Sequence, residues 1–419
     1  MRITMVAVGT RGDVQPLIAL SLGLQRAGFE VNFATHHSFE SFVTGFGLPF
    51  NPLAGNPQEL IHTEEVQGWL KSGSNPIEFA HHFLQIAEKL VHEVTHDTLA
   101  ACQGTDAIIF TALGAAAFDI GESMKIPVIG AGLQPITPTR AYPPMLMPVD
   151  FNPGNIGNLI GHHAMLNLFY RPVAGHIRAW RKELGLKPHG LRGPFRRVFR
   201  EKIPILYGYS PSVLPQPPDW PDWHRVTGYW FLDEVKGWQP PAELESFLAA
   251  GPPPVYVGFG SMSPRDPAMA ADIIIEALEI TGQRGILLSG WAGLGRSNLP
   301  ESIYRLDAAP HDWLFPKMAA VVHHGGAGTT AAGLRAGVPT VTTPFFSDQP
   351  FWGLRVRDLG VGPAPVPQKR MTAKRLAAAI RRAVTDPSMK TKAGALGAAI
   401  RQEDGIATAV SFIRTYLGH

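Results

Sequence analysis

The first forty residues alternate between apolar runs and a helical pattern. Ile3–Val8 is largely apolar and partly β-branched, which is typical of a strand buried on both faces. Leu17, Leu20 and Leu24 then recur at helical spacing, and Val31–Thr35 is a second apolar run. Strand, helix and strand in this order predict a βαβ unit with parallel strands.

The same alternation continues along the chain and restarts in its second half. Further strands are predicted at Ala107–Thr111, Pro127–Ala131, Val255–Phe259, Ile286–Ser289, Ala320–His323 and Thr340–Thr343. Helices are predicted at Ala270–Thr281, Thr330–Ala336 and Thr372–Val384. The fold class is therefore α/β, with two Rossmann-like sheets. A polar, proline-rich segment, Asp233–Pro254, predicts the linker, so the expected domains are residues 1–235 and 236–402.

Composition narrows the class of protein. Only 17% of the 419 residues are charged, which excludes a disordered chain or a coiled coil, and the net charge of +3 is too small for a nucleic-acid partner. The single cysteine, Cys102, and an amino-terminal apolar run too short for a signal peptide favour the cytoplasm. The basic stretch Arg192–Lys202 fits an amphipathic surface helix or a phosphate or membrane patch, so membrane contact is expected to be peripheral at most. The oligomeric state is not predicted.

Three predicted strands of the second half end in residues that suit an anion. Gly260-Ser261, the run 324–330 and Asp348-Gln349 each follow a strand, and ligands of open parallel sheets bind beyond the carboxyl ends of strands. A helix that begins near Gly328 would direct its amides at a phosphate, although a glycine-rich helix start can also be a plain tight turn. The P-loop, GxGxxG and Asp-x-Asp patterns are missing, so we expect a diphosphate site without a metal or a cofactor.

These motifs resemble the donor signature of inverting nucleotide-sugar glycosyltransferases with the GT-B architecture. The resemblance rests on His323–Thr330, Gly337-Val338-Pro339 and Pro344–Gln349. The segments Thr10–Pro16, Pro138–Pro143 and Pro310–Phe315 resemble the sterol 3-beta-glucosyltransferase branch, to which the glycopeptide-antibiotic glycosyltransferases are related. The resemblance implies two domains around a central cleft, an acceptor domain at 1–235 and a donor domain at 236–402. It also implies a last helix, about 403–419, that crosses back to the first domain.

The resemblance also assigns roles on the donor side. His324 and the glycine-rich turn would hold the diphosphate, with support from the hydroxyl at 261, and Asp348 and Gln349 would bind the sugar hydroxyls. The residues carried over are Ser261, His324, Gly326, Gly328, Thr329, Asp348 and Gln349. Ala308 and Ala332 stand where plant members carry a uracil-stacking tryptophan and a ribose-binding glutamate. The base and ribose contacts are therefore expected elsewhere, with Trp291 and His311 as candidates, and UDP and TDP both stay open.

Asp13 is the candidate catalytic base. Inverting transfer needs one base to take the proton of the acceptor hydroxyl, and the resemblance puts an aspartate at this position in the sterol and glycopeptide branches. An aspartate at a helix start can also serve only as a cap. His36 and His37 follow the second strand and are the other candidates, with His36 also expected to face the acceptor.

The segment Gln134–Pro153 is a long, apolar loop rich in proline. Such loops are either functional or packed onto the core. Tyr142, Met145 and Met147 are the acceptor candidates within it.

His92-Glu93-Val94-Thr95-His96 fits the HExxH pattern of zinc peptidases. The metzincin extension fails because Leu99 stands where glycine is needed, and the apolar stripe of the predicted helix leaves both histidines on its solvated side. We therefore expect no metal at the functional site.

Taken together, the residues and the resemblance predict an inverting, metal-independent transferase that moves glucose from UDP-glucose to a hydroxyl of a flat apolar acceptor such as a sterol. A natural-product glycosyltransferase that uses a UDP- or TDP-sugar is the alternative, with an antibiotic, a polyketide or a flavonoid as acceptor. A zinc peptidase and a non-catalytic binding protein are the alternatives outside this class.

Overall fold

The computed structural model describes residues 1–56, 92–147, 151–190, 193–233, 238–260, 267–288 and 299–419. The chain forms two compact units. The first contains residues 1–211, 215–232 and 404–419, and the second contains residues 212–214 and 233–403. Within the described residues, no helix is both long enough and apolar enough to cross a membrane.

The first unit is built on a seven-stranded parallel sheet in the order β3-β2-β1-β4-β5-β6-β7. Its strands are β1 Arg2–Ala7, β2 Glu30–His36, β3 Phe50–Leu53, β4 Ala107–Thr111, β5 Val128–Gly132, β6 Ile205–Tyr207 and β7 His224–Val226. Apolar side chains of β1 are fully buried on both faces of the sheet, which is why the strand reads as a continuous apolar run rather than an alternating one.

The helices of the first unit cover both faces of this sheet. They are α1 Arg11–Arg26, α2 Glu40–Thr44, α3 Ala116–Met124, α4 Gly154–Glu183, α5 Phe195–Arg200 and α13 Gly405–Leu417, together with a helical segment at residues 92–101. The last helix, α13, packs on α1, where a Cβ on Gly23 would lie 2.3 Å from Ile406 Cγ2. Glycine at this position therefore allows the two helices to approach closely.

The second unit is a five-stranded parallel sheet in the order β10-β9-β8-β11-β12. Its strands are β8 Val255–Gly258, β9 Gly285–Leu288, β10 Ile303–Leu306, β11 Ala320–His323 and β12 Thr340–Thr342. Its helices are α6 Ala242–Ala249, α7 Pro267–Thr281, α8 His311–Leu314, α9 Ala327–Ala336, α10 Gln349–Asp358, α11 Ala373–Thr385 and α12 Pro387–Gln402. The predicted α/β class with two Rossmann-like sheets is confirmed.

Each sheet has one point at which the order of the strands reverses. The chain runs outward from β1 to β3 and then returns to place β4 on the other side of β1. In the second unit it runs from β8 to β10 and returns to place β11 beside β8. A crevice opens at such a switch point, beyond the carboxyl ends of the two strands, and open α/β sheets bind ligands there.

Candidate functional site

The turn after β1 holds the carboxylate of Asp13 at the start of α1. Asp13 Oδ2 accepts hydrogen bonds from the Thr10 amide at 2.8 Å and from the Thr10 hydroxyl at 3.1 Å. Gly9 has a φ of +136°, and a Cβ there would lie 2.4 Å from Asp13 Oδ2, so only glycine leaves room for the carboxylate. The side chain is half-buried, and its orientation is fixed by the turn.

His36 supports this turn from the end of β2. Its Nε2 lies 3.3 Å from the Gly9 amide, and its Nδ1 lies 2.8 Å from the Ala54 carbonyl. The tautomer that satisfies both contacts carries its proton on Nδ1 and accepts from Gly9 at Nε2. Burial lowers the pKa of His36, so the ring is neutral at pH 7. Both nitrogens are therefore engaged inside the protein, whereas His37 is exposed and pairs with Glu40.

The described part of the apolar loop, residues 134–147, is anchored at several points. The Tyr207 hydroxyl accepts from the Thr137 amide at 2.9 Å, and the Asp219 carboxylate accepts from the Thr139 hydroxyl at 2.6 Å. The Tyr142 ring lies edge-on to His162 of α4, with 6.0 Å between ring centroids. The loop therefore has a fixed course. Tyr142, Met145 and Met147 stay half-buried along it.

An exposed apolar surface, which the sequence did not predict, lies beside this loop. Ile156 and Ile160, one turn apart at the start of α4, are 72% and 63% exposed. A Cβ on Gly161 would lie 3.2 Å from Met147 Cε, so this end of α4 adjoins the loop. Leu113, just after β4, is 50% exposed. The i, i+4 spacing of the two isoleucines was readable from the sequence, but their exposure was not.

In the second unit, His324 lies at the switch point between β8 and β11. A Cβ on Gly260, which follows β8, would lie 3.4 Å from His324 Cε1, and a Cβ on Gly326 would lie 2.4 Å from His324 Nε2. Gly326 is the N-cap residue of α9 and has no side-chain cap among the described residues. The His324 ring thus lies against the start of α9, where the first backbone amides have no partner within the helix. Gly328 in this first turn is exposed, and Thr329 is half-buried.

Burial determines the charge of His324. It lowers the pKa of His324 to about 4, with a smaller contribution from the nearby His311. The ring is therefore neutral at pH 7. His324 Nδ1 is buried without a hydrogen-bond partner among the described residues. A buried ring nitrogen of this kind is a donor or acceptor that a ligand can satisfy.

His311 begins the short helix α8. Its ring stacks on Phe315, with centroids 4.3 Å apart and an interplanar angle of 17°. The ring therefore has one face covered by the protein. The other base and phosphate candidates of the sequence analysis, Trp291 and Ser261, lie outside the described residues.

The residues after β12 meet the glycine-rich turn after β11. A Cβ on Gly325 would lie 3.0 Å from the Gln349 carbonyl oxygen, so the two turns are in close contact. Gln349 is 5% exposed, and its Oε1 accepts from the Phe345 amide at 2.8 Å. Asp348 Oδ2 accepts from Trp352 Nε1 at 3.1 Å. The structure thus brings His324, Gln349 and their turns together at one edge of the second sheet.

Comparisons with known proteins agree with this fold. Residues 3–143 match the glycosyltransferase family 28 N-terminal domain, and residues 286–404 match the erythromycin biosynthesis protein CIII-like C-terminal domain. The chain is 40% identical, over 100% of its length, to the sterol 3-beta-glucosyltransferase of Aspergillus clavatus. The chain has the GT-B fold, and it resembles the sterol 3-beta-glucosyltransferases along its whole length.

The sterol 3-beta-glucosyltransferases that the chain resembles are longer than the chain itself. The chain covers 30% of the Aspergillus protein, and it is 39% identical to 64% of the sterol 3-beta-glucosyltransferase of Arabidopsis thaliana. The crystal structure of the glycosyltransferase VinC in complex with dTDP matches with a TM-score of 0.69 over 99% of both chains, at 19% identity. Proteins with less than 20% sequence identity to this chain therefore have the same fold.

Proposed function

We propose that this protein transfers glucose from UDP-glucose to a hydroxyl of a flat apolar acceptor such as a sterol, with inversion at the anomeric carbon and without a metal ion. The observation that carries the proposal is the cluster at the second switch point. A glycine-rich helix start without a side-chain cap among the described residues, the half-buried His324 ring and the Asp348-Gln349 turn lie there at one sheet edge. The identity of about 40% to sterol 3-beta-glucosyltransferases along the whole chain supports the acceptor class.

The donor diphosphate would bind at the start of α9. The amides of the first helical turn and the positive end of the helix dipole stabilise negative charge there. The neutral His324 imidazole can donate one hydrogen bond to a phosphate oxygen and needs no counterion to do so. Asp348 and Gln349 would then hydrogen-bond the sugar hydroxyls. The leaving diphosphate would be stabilised by fixed backbone dipoles in the role that a metal ion serves elsewhere.

Asp13 would act as the base. Its carboxylate takes the proton of the acceptor hydroxyl while that oxygen attacks the anomeric carbon, and the bond to the nucleotide diphosphate breaks in the same displacement. One displacement inverts the configuration, so an α-linked donor gives a β-linked product. The two hydrogen bonds from Thr10 hold the carboxylate in one orientation before the acceptor arrives.

The acceptor would bind along the loop 134–147 and the first turns of α4. Met145, Met147, Ile156 and Ile160 offer apolar surface there, and exposed apolar patches of this kind mark binding surfaces. The buried free thiol of Cys102, whose pKa burial raises to about 12, suits a reducing compartment such as the cytoplasm.

A natural-product transferase that uses a TDP-sugar is the second candidate. It is favoured by the match to VinC, whose crystal structure contains dTDP. Ala308 and Ala332 stand where other members carry the tryptophan and the glutamate that bind the base and the ribose. The sequence therefore does not distinguish a UDP-sugar from a TDP-sugar.

The experiment is a product assay. The purified chain is incubated with UDP-glucose or TDP-glucose and with a sterol, a flavonoid or a macrolide aglycone, and products are identified by mass spectrometry and their anomeric configuration by NMR. The proposal predicts a β-glucoside of the sterol from UDP-glucose. At a temperature well below the melting temperature of the protein, the rate in excess EDTA should equal the rate in magnesium. An α-product, a loss beyond tenfold in EDTA that magnesium restores, or glycosylation of the other aglycones alone would contradict it.

A further inference from the structure

Three potential metal ligands from two helical segments come together in the first unit. His92 and His96 lie one turn apart in the segment 92–101, with their ring centroids 4.4 Å apart. Glu183, the last residue of α4, lies with Oε2 3.3 Å from His96 Nε2. One ligand atom from each of the three residues lies within 4.8 Å of the others.

The separation of these atoms suits a small tetrahedral cation. Zinc binds histidine nitrogen and carboxylate oxygen at about 2.0–2.2 Å, so neighbouring ligand atoms in a tetrahedral site are about 3.3 Å apart. The contact between His96 and Glu183 already has this length. The His92 ligand atom lies within 4.8 Å of the other two and has to move closer when the metal binds. Each of the three residues is exposed, so water can complete the coordination.

We propose that His92, His96 and Glu183 form a zinc-binding site that joins the segment 92–101 to the end of α4. The expectation of no metal concerned the functional site and weighed only the HExxH pattern. The third ligand, Glu183, lies far along the chain from that pattern and is not revealed by it. The proposal concerns the first unit only and does not depend on the proposed transferase reaction.

The surroundings give such a site a structural role. Trp180, one turn before Glu183, is 8% exposed and packs edge-on against the His96 ring, with centroids 5.3 Å apart. On the other side, Asp97 Oδ2 accepts from the Ala54 amide at 2.8 Å, and the Ala54 carbonyl is the partner of His36. A metal that fixes the segment 92–101 would therefore also stabilise the support of the turn after β1.

The test is zinc binding by the full chain without an affinity tag. After removal of divalent ions, ZnCl2 is titrated calorimetrically into the wild type, His92→Gln, Glu183→Gln and the control His163→Gln, which removes an exposed histidine of α4 outside the cluster. We expect one zinc per chain in the wild type and the control. We expect the dissociation constant to rise at least tenfold in each of the two ligand variants, and MgCl2 to give no comparable binding because magnesium prefers oxygen ligands.

Thermal unfolding provides a second readout. A ligand that binds only the folded state raises the melting temperature, so zinc should raise it in the wild type and in His163→Gln and not in the two ligand variants. Equal zinc affinity in His92→Gln, Glu183→Gln and the wild type would overturn the site. Zinc bound by these residues without a change in melting temperature would overturn its structural role.

Discussion

The turns after β1 and after β11 lie beside the switch points of their two sheets, and each leads from a strand into a helix. The two turns differ in the group that caps the following helix. At α1 the protein supplies its own anion, since the Asp13 carboxylate accepts from Thr10 at the helix terminus. At α9 the N-cap is Gly326, without a side-chain cap among the described residues, beside the half-buried His324 ring.

The same strand-turn-helix arrangement can therefore serve two different functions. A helix start that already holds a carboxylate has little electrostatic preference for a second anion, whereas an uncapped one binds phosphate. The first turn is thus suited to presenting a base, and the second to binding a diphosphate. The following predictions test this division, from the largest expected effect to the smallest.

Asp13→Asn should lower turnover about 10²–10⁴-fold, because the general base is lost while the amide oxygen can still accept from Thr10. The affinity for UDP should not change. Steady-state kinetics and calorimetry measure the two quantities. Asp404→Asn is the matched control, since Asp404 also accepts from a backbone amide at a helix start of the same unit, and its turnover should be normal. More than a tenth of wild-type turnover in folded Asp13→Asn would remove Asp13 from the mechanism.

His324→Ala should weaken UDP binding by about 1.5–3 kcal/mol, the contribution of a hydrogen bond to a charged group. Asp348→Ala should leave free UDP binding intact and weaken UDP-glucose binding alone. Calorimetry with both ligands separates the two effects. Equal losses of UDP affinity in the two variants would show that the second turn is not divided into a phosphate part and a sugar part.

Replacing Met145, Leu146 and Met147 together with serine should raise the Michaelis constant for the acceptor about tenfold, because apolar contact worth about 1.4 kcal/mol is lost. The constant for the donor should stay the same. Ile280→Ser, an exposed apolar residue of the second unit, serves as the control and should change neither constant. An unchanged acceptor constant in the triple variant would make the loop a packing element.

The free energy of unfolding should fall as the pH drops from 6.5 towards 4. Burial lowers the pKa of His162, His224 and His324 to about 4, against 6.5 in the unfolded chain. Between these values the unfolded state binds more protons than the folded state, so acid favours unfolding, and the stability due to the neutral rings is complete only above pH 6.5. Urea unfolding at pH 7, 6 and 5 measures the effect. A constant free energy over this interval would contradict the burial of the three rings.

The sequence predicted most strands of both sheets and missed β3, β6, β7 and β10. Ala107–Thr111 and Ala320–His323 were predicted with their observed bounds because all of their residues but the last are apolar. The strands β6 and β7 have three residues each, which is too short for a periodic signal. The predicted linker, Asp233–Pro254, contains helix α6. Leu244 of this helix is buried against the second sheet, and such packing between distant residues is not visible in a local sequence pattern.

The turns that carry the candidate residues were predictable from the sequence, and the ionisation and contacts of those residues were not. Strand ends and glycines located the turns that hold Asp13 and His324, because the carboxyl ends of parallel strands share an edge. The neutral state of His324 and the double engagement of His36 depend on burial and on distant partners such as Ala54. Single-sequence patterns do not contain that information.

Hydrogen exchange with UDP tests the central claim most directly. The anion is expected to bind at the start of α9. It is not expected to bind at the start of α1, because the Asp13 carboxylate already lies there. UDP should therefore slow amide exchange in residues 325–330 and leave residues 10–14 unchanged. Slowed exchange in residues 10–14 with no change in residues 325–330 would contradict it.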